Sequence, residues 1–492
     1  MPLVTAIGQV LATERRVLQH IQADLSETHR RLAHLRAEVS SLECHEEVLR
    51  MRAAAATGVC SDLVLRFTRE FFSTAPDDVL LLVFMEVVSD SEEWGFKGTQ
   101  FNKDLAQAPF RLAAVCQRWR HLAVSSPTLW TYLALPLHSH LNQAHVERVK
   151  HLVHRSQQAP IDVFAEWGWH QSIDAVEPHA KVITQLISSL GHKLRLFWWS
   201  SSNEPDDAAL EGLRGPTPHL TQLYITPASE EDRSILEKCL PFAPRLKEMQ
   251  WTSDYMGWSF AAQRYTSLTV LTIWYDPPLD YVVDALRVVH DSLKELNLGS
   301  SIADQHPFGQ GVCLEFPQLT TLRFQDWGWA RHLRAPALQQ LATGNSWSRD
   351  GESLSHILCP FVTAQHLTLF ASCDVIELSA FAELVNITTL EVSGTTWVER
   401  VSYGELSDGF FAAAVDFESP VWPKLKHIHF DTGFDRINPV SDTDLVTFIR
   451  LRNETPATEL EPRSISRIET VKLGYDAPEW LIREVERLTA LH

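Results

Sequence analysis

Apolar residues recur every seven positions near the start of the chain, at Leu11, Leu18, Leu25, Leu32 and Val39. A second row at Ile21, Thr28, Leu35, Leu42 and Leu49 follows three positions behind. That spacing places both rows on one stripe of a helix, as the a and d positions of a heptad. Glu14, Arg15, Arg16, Asp24, Glu27, Arg30, Arg31, Arg36 and Glu38 fill the solvated positions, and residues 9–57 contain neither Gly nor Pro. The pattern predicts one long amphipathic helix over residues 1–57. Its seam either packs back on its own chain or pairs with a second copy in a homodimer.

From Leu194 the periodicity changes to apolar-x-x-apolar-x-apolar. It occurs at Leu194/Phe197/Trp199, Leu220/Leu223/Ile225, Leu246/Met249/Trp251, Leu268/Leu271/Ile273, Leu293/Leu296/Leu298 and Leu319/Leu322/Phe324. Leu338/Leu341/Thr343, Ala364/Leu367/Leu369, Ile387/Leu390/Val392, Leu425/Ile428/Phe430 and Ile468/Val471/Leu473 continue it. The first nine copies start 19 to 26 residues apart and the last two follow gaps of 38 and 43. Such a period is that of leucine-rich repeats, whose core is L-x-x-L-x-L. Helical stretches at Glu230–Leu240, Tyr281–Ser292, Leu378–Leu384, Asp442–Arg452 and Glu479–Leu488 separate the strands, so each repeat reads as a strand plus a helix. Residues 136–492 are thus predicted to form an irregular α/β solenoid, with parallel strands on a concave side and helices on a convex side. A strand at Ile161, preceded by a helical segment, opens it as a cap, and the sparse asparagines predict an incomplete asparagine ladder.

Alternate strand residues point apart, so positions beside the inward core residues face the concave surface. They supply the candidate protein-binding residues: Trp198, Tyr224, Gln250, Trp274, Asn297, Arg323, Thr368, Glu391, His429 and Lys472. Trp, Tyr and Arg are the types that dominate binding hot spots. Trp-rich loops near Trp327 and Trp397 offer the alternative surface.

Residues 71–135 read as two helical stretches separated by a polar loop, Ser89–Gln107. Pro76 and the acidic pair Asp77-Asp78 suit a helix start, and Val79, Leu80, Val83, Phe84 and Val87 form its apolar face. In the second stretch Leu112, Val115, Cys116, Trp119, Leu122 and Ala123 repeat at helical spacing until Pro127 stops the helix. Leu129 and Trp130 then stand on a turn, where large apolar groups are costly to expose unless they dock on something.

Pro76, Val79, Leu80, Val83 and Phe84, followed by Val115-Cys116, Trp119-Arg120, Leu122-Ala123, Pro127 and Leu129-Trp130, resemble the F-box of mushroom-type fungal proteins. That group also tends to carry a heptad helix before the F-box and leucine-rich repeats after it. Ala75 stands where the family usually has Leu before the first proline. The resemblance implies that Pro76, Val79, Leu80, Val83, Phe84, Val115, Cys116, Trp119, Pro127, Leu129 and Trp130 dock a Skp-family adaptor. Through the adaptor the chain would join a cullin-RING ubiquitin ligase, with the repeat array selecting a protein substrate. The alternative is a repeat scaffold uncoupled from ubiquitination, in which the hairpin packs on the solenoid.

Composition narrows the field. Of 492 residues, 45% are hydrophobic and 21% charged, which is globular rather than disordered. The net charge is −19, so nucleic acid and anionic membranes are poor partners. Seven cysteines, none in a CxxC pair, suit a reducing compartment, cytoplasm or nucleus, and argue against structural zinc. No signal-peptide pattern opens the chain, so the sequons Asn386-Ile-Thr and Asn453-Glu-Thr carry no weight. No nucleophile elbow, phosphate-binding loop or HExxH is found, so no enzyme, cofactor or metal is expected. His427 and His429 lack a third ligand at usual spacing, and Cys116, on an apolar helical face, reads as a buried thiol.

Overall fold

The computed structural model describes residues 2–89, 103–137, 143–167, 177–200, 212–226, 240, 242–252, 265–274, 279–299, 313–346, 361–370, 381, 383–393, 410–416, 421–430, 442–454, 465–474 and 477–490. The chain divides into two compact units, Met1–Val83 and Phe84–His492.

The first unit is dominated by helix α1, Pro2–Thr74. It extends beyond the predicted residue 57 because Gly58, with nothing within 4 Å of an added Cβ, costs only its intrinsic propensity in an exposed helix. The heptad seam is solvent-exposed: Leu18, Ile21, Leu25, Leu32, Leu35, Val39, Leu42 and Leu49 retain 41 to 63% of their surface. The seam therefore has no cover within the chain among these residues. Helix α2, Asp77–Ser89, crosses the boundary between the units, with Asp77 and Asp78 in its first turn as expected.

In the second unit the predicted single helix after the loop is two. Helices α3, Lys103–Val115, and α4, Gln117–Ser125, break at Cys116, whose backbone is extended and whose thiol accepts the Trp119 N–H at 3.4 Å. Cys116 is exposed, against the expectation of a buried thiol, because a capping residue lies outside the apolar stripe. The break also turns Val115 out to solvent. Helix α3 begins inside the stretch predicted as loop, with Asp104 in its first turn.

Among the described residues, thirteen parallel strands form one sheet in sequence order. They are β1 Tyr132–Leu137, β2 Ile161–Trp167, β3 Leu194–Ser200, β4 Gln222–Thr226, β5 Glu248–Thr252, β6 Val270–Trp274 and β7 Glu295–Leu298, then β9 Thr321–Asp326, β11 Gln340–Ser346, β12 His366–Phe370, β13 Thr389–Ser393, β14 His427–Phe430 and β15 Thr470–Lys472. Two short strands, β8 Leu314–Glu315 and β10 Leu333–Arg334, pair with each other outside this sheet. All eleven predicted repeat strands are present, as is the predicted strand at Ile161. The sheet, however, starts one strand earlier, at β1.

Register makes the repeat explicit. Leu133, Val163, Phe197, Leu223, Met249, Leu271, Leu296, Leu322, Leu341, Leu367, Leu390, Ile428 and Val471 align across all thirteen strands, and all but Val471 are buried. Each contributes apolar burial worth roughly 1.5–3 kcal/mol for a full side chain, which drives the stacking. Ahead of the strands, backbone bonds run from repeat to repeat, such as Lys247 N–H to Thr221 O and Thr269 N–H to Lys247 O at 2.8 Å. The hydroxyls of Thr221, Thr269, Thr320 and Thr388 double this ladder by donating to the same preceding carbonyls at 3.0–3.1 Å.

Among the connecting helices, α5 Gln143–Ser156, α6 Glu177–Ser188, α7 Leu279–Val289, α8 Phe410–Asp416, α9 Asp442–Glu454 and α10 Glu479–Thr489 are described. The predicted helices at Tyr281–Ser292, Asp442–Arg452 and Glu479–Leu488 match α7, α9 and α10. Those at Glu230–Leu240 and Leu378–Leu384 fall largely outside the described residues.

Candidate functional site

The open face of the sheet carries two adjacent rows of non-core side chains. One row, in strict register, is Ala134, Phe164, Trp198, Tyr224, Gln250, Thr272, Asn297, Arg323, Ala342, Thr368, Glu391, His429 and Lys472. At about 4.8 Å per strand it spans roughly 58 Å. Nine of the ten predicted binding residues lie on it. The tenth, Trp274, stands two residues beyond the row, opposite Thr252, and Thr272 holds the aligned place.

The row is not uniformly accessible. At its start Leu105 and Ala106 of α3 cover Tyr132 and Phe164, with Leu196 and Trp198 packed against the same cluster, so Trp198 is partly buried. Thr272, Asn297 and Ala342 are buried outright. Tyr224, Gln250, Arg323, Thr368, Glu391 and His429 are half-buried, and Lys472 is exposed.

The second row, which sequence reasoning did not single out, supplies the charges that organise the first. It contains Gln222, Glu248, Val270, Glu295, Thr321, Gln340, His366, Thr389 and His427. The signal was available, because these residues sit two positions before the first row and alternation puts them on the same face.

Pairs across neighbouring strands then fix the polar surface. Gln222 Nε2 donates to Glu248 Oε2 at 2.8 Å. The Tyr224 hydroxyl donates to Glu248 as well; burial first, and then Glu248 and Glu295, push that phenol far above its ordinary range. Asn297 Nδ2 donates to Thr272 Oγ1 at 2.9 Å and to Glu295 Oε1 at 3.2 Å. Glu295 lies 4.0 Å from the Arg323 guanidinium, whose pKa is lowered by burial against the opposing pull of Glu295 and Glu391. Further along, His366 Nε2 meets Glu391 Oε2 at 3.1 Å and Thr368 Oγ1 donates to the same oxygen at 3.3 Å. The hydrogen bond from His366 is the main reason that the Glu391 carboxyl is held below its ordinary value. His427 bonds through Nδ1 to Thr470 Oγ1 at 2.8 Å. No group of three or more His, Cys, Asp or Glu is placed to hold a metal among the described residues.

Such a face is an array of donors and acceptors held in place by their neighbours. Because Glu391 is held below 4.5, its interaction stabilises the fold above that pH and is lost as pH falls through and below it. Urea denaturation of Glu391→Gln beside the wild type should therefore show a deficit at about pH 7 that shrinks toward about pH 3.5. A deficit that is unchanged or grows on acidification contradicts this assignment.

The helical segment presents a second surface. Phe84 of α2 is buried with its ring 4.7 Å from that of Trp119, and Thr128 Oγ1 donates to Met85 Sδ at 3.3 Å. Trp119 and Pro127 are half-buried, Pro76 is exposed, Val79 and Val83 are half-buried, and Leu80 is buried. Leu129 and Trp130, expected to need a docking partner, are covered within the chain. Trp130 Nε1 donates to Ala123 O at 2.7 Å, Phe110 meets its ring edge-on at 5.1 Å, and the Arg155 guanidinium lies 4.3 Å over it. The large apolar groups left to solvent here, among the described residues, are Leu82, Val87, Phe110, Val115 and Val124, together with the Cys116 thiol. Of the Trp-rich loops, Trp329 is buried, whereas Trp397 and the side chain of Trp327 lie outside the described residues.

No family model and no curated protein matches the chain. Among solved structures it is similar to the crystal structure of the Rad7 and Elc1 complex in yeast, at 12% identity over 76% of this chain and 92% of that one. The TM-score is 0.36, a likeness too slight to assign a function. No helix among the described residues is long and apolar enough to cross a membrane.

Proposed function

We propose that the chain is the substrate-recognition subunit of a Skp-cullin-F-box type ubiquitin ligase, not itself an enzyme. In this reading the α2–α4 segment docks a Skp-family adaptor and the open face of a leucine-rich-repeat sheet binds a protein substrate. The observation that carries the reading is the conjunction of two surfaces in one chain. An F-box-like sequence folds as helices with exposed Val87, Val115 and Cys116, and a largely polar face about nine strand spacings long, from Tyr224 to Lys472, carries side chains that differ from repeat to repeat. Pairs such as Glu295–Arg323 and His366–Glu391 fix that face before a partner arrives, which lowers the ordering cost of binding.

The burial of Phe84, Leu129 and Trp130 favours the second reading, a scaffold whose helical hairpin serves its own sheet. One experiment separates the two: capture of a purified Skp-family adaptor and of lysate proteins by the full chain, beside two variants. Val115→Glu, at an exposed position, should lose the adaptor and keep the other captured proteins. The pair Tyr224→Ala and Arg323→Ala should do the reverse. A wild-type chain that does not bind the adaptor sinks the ligase reading and leaves the scaffold.

A further inference from the structure

Helix α1 displays its heptad seam to solvent through eight large apolar side chains between Leu18 and Leu49, about 48 Å of helix at 1.5 Å per residue. A lone helix with such a stripe has no apolar partner to hold it, and an apolar stripe of this length is the seam of a coiled coil. From this seam we infer that α1 pairs with α1 of a second copy, and that the two run antiparallel about a two-fold axis between Ala33 and His34. The inference is independent of the ligase reading.

The order of residues along the seam decides orientation. In the antiparallel register the layers are Leu18 with Leu49, Ile21 with Glu46, Leu25 with Leu42, Thr28 with Val39 and Leu32 with Leu35, each pair occurring twice by symmetry. The described seam, from Leu18 to Leu49, maps onto itself. A parallel in-register pair would instead stack Thr28 on Thr28 and Glu46 on Glu46, placing two like charges in one core layer.

The flanking charges point the same way. Antiparallel packing sets g positions against g positions, so Arg31 meets Glu38 of the second copy and Asp24 meets His45, each twice. Parallel packing sets g against the following e, which brings Arg31 against Arg36 and Glu38 against Glu43 of the second copy. Shifting the antiparallel register by one heptad either way also fails: it opposes Glu38 to Glu38 and Arg36 to Arg36, or Arg31 to Arg31 and Asp24 to Glu38. Arg31 keeps 79% of its side-chain surface, reaching only Glu27 of its own helix at 3.4 Å.

The test is the mass of the full chain by light scattering at micromolar concentration, followed by a charge swap. The expected mass is twice 55.8 kDa. Arg31→Glu, which faces Glu38 twice in the antiparallel pair, should raise the dissociation constant about tenfold, and adding Glu38→Arg should restore it. Arg31 is exposed, so helix content by circular dichroism at a concentration where both proteins are dimeric serves as the folding control. A monomeric wild type overturns the proposal. So does tighter association of Arg31→Glu, the result that a parallel pair gives by setting the new glutamate against Arg36.

Discussion

Replacing Trp130 with alanine should cost about 3–5 kcal/mol, the range for truncating a fully buried Trp in a core. The indole retains 1% of its surface, its N–H satisfies the Ala123 carbonyl, and Arg155 lies over its face. Truncation opens a cavity and removes the shorter of that carbonyl's two hydrogen bonds, leaving it the Ser126 N–H at 3.4 Å. The damage should be transmitted to the sheet, because Trp130 ends the turn that leads directly into β1. Denaturant unfolding of Trp130→Ala should show the loss, with Trp130→Phe intermediate because it keeps part of the apolar contact and drops the N–H. A wild-type midpoint for Trp130→Ala would mean that the side chain is dispensable to the fold. For the same reason Trp130→Ala is a poor test of the proposed adaptor docking, and exposed Val115 is the better probe.

Trp130 also shows how much of the fold was legible. Trp130, Leu133 and Leu135 stand at the spacing of Leu220, Leu223 and Ile225, so β1 opens on the same apolar-x-x-apolar-x-apolar motif with Trp in the first place. The motif fell inside the segment read as an F-box-like hairpin, and one assignment hid the other. Strand positions elsewhere were readable because thirteen stacked repeats must bury equivalent residues, which imposes a fixed pattern on the chain. Surface chemistry follows no such rule. Glu248, Glu295 and His366 look like ordinary exposed strand residues, and only register shows that they grip Tyr224, Arg323 and Glu391. Likewise, nothing in the local sequence announces that Cys116 interrupts a helix, since its neighbours continue the helical periodicity.

Burial also divides the polar residues of the last repeat into two kinds. Arg450, Glu454, Glu484 and Arg487 form a surface network, with Arg450 Nη2 and Arg487 Nη2 each 2.9 Å from Glu484 Oε1, and their two guanidinium groups hold the Glu484 carboxyl down to about 2. Exposed pairs of this kind are weakened by solvent and salt. Arg452 is a different case, buried beside the Phe448 ring and pushed down to about 10 by desolvation. Its side chain donates to the Val421 carbonyl, which ties α9 to the turn before β14.

Asn453 should be the more consequential neighbour. Its Nδ2 donates to Ile468 O at 2.9 Å and to Leu488 O at 3.0 Å, while its Oδ1 accepts the Ile468 N–H at 2.8 Å. One side chain thereby joins α9, the approach to β15 and the end of α10. Asn453→Leu keeps the branched shape but leaves three buried backbone groups without partners, which should cost about 3–5 kcal/mol. Its loss should be local before it is global, since among the described residues β15 is the last strand of the sheet and pairs on one side only, with β14. Hydrogen exchange should therefore show the Ile468 amide unprotected in Asn453→Leu while the amides of β6 and β7 remain slow. Protection of Ile468 equal to wild type would show that the clamp is not what holds the terminal repeat. The position was visible in the sequence, where Leu445, Ile449 and Arg452 mark one face of α9 and Val446 and Asn453 lie on the same stripe. A polar residue at an inward position must find partners, and here backbone groups from two other segments supply them.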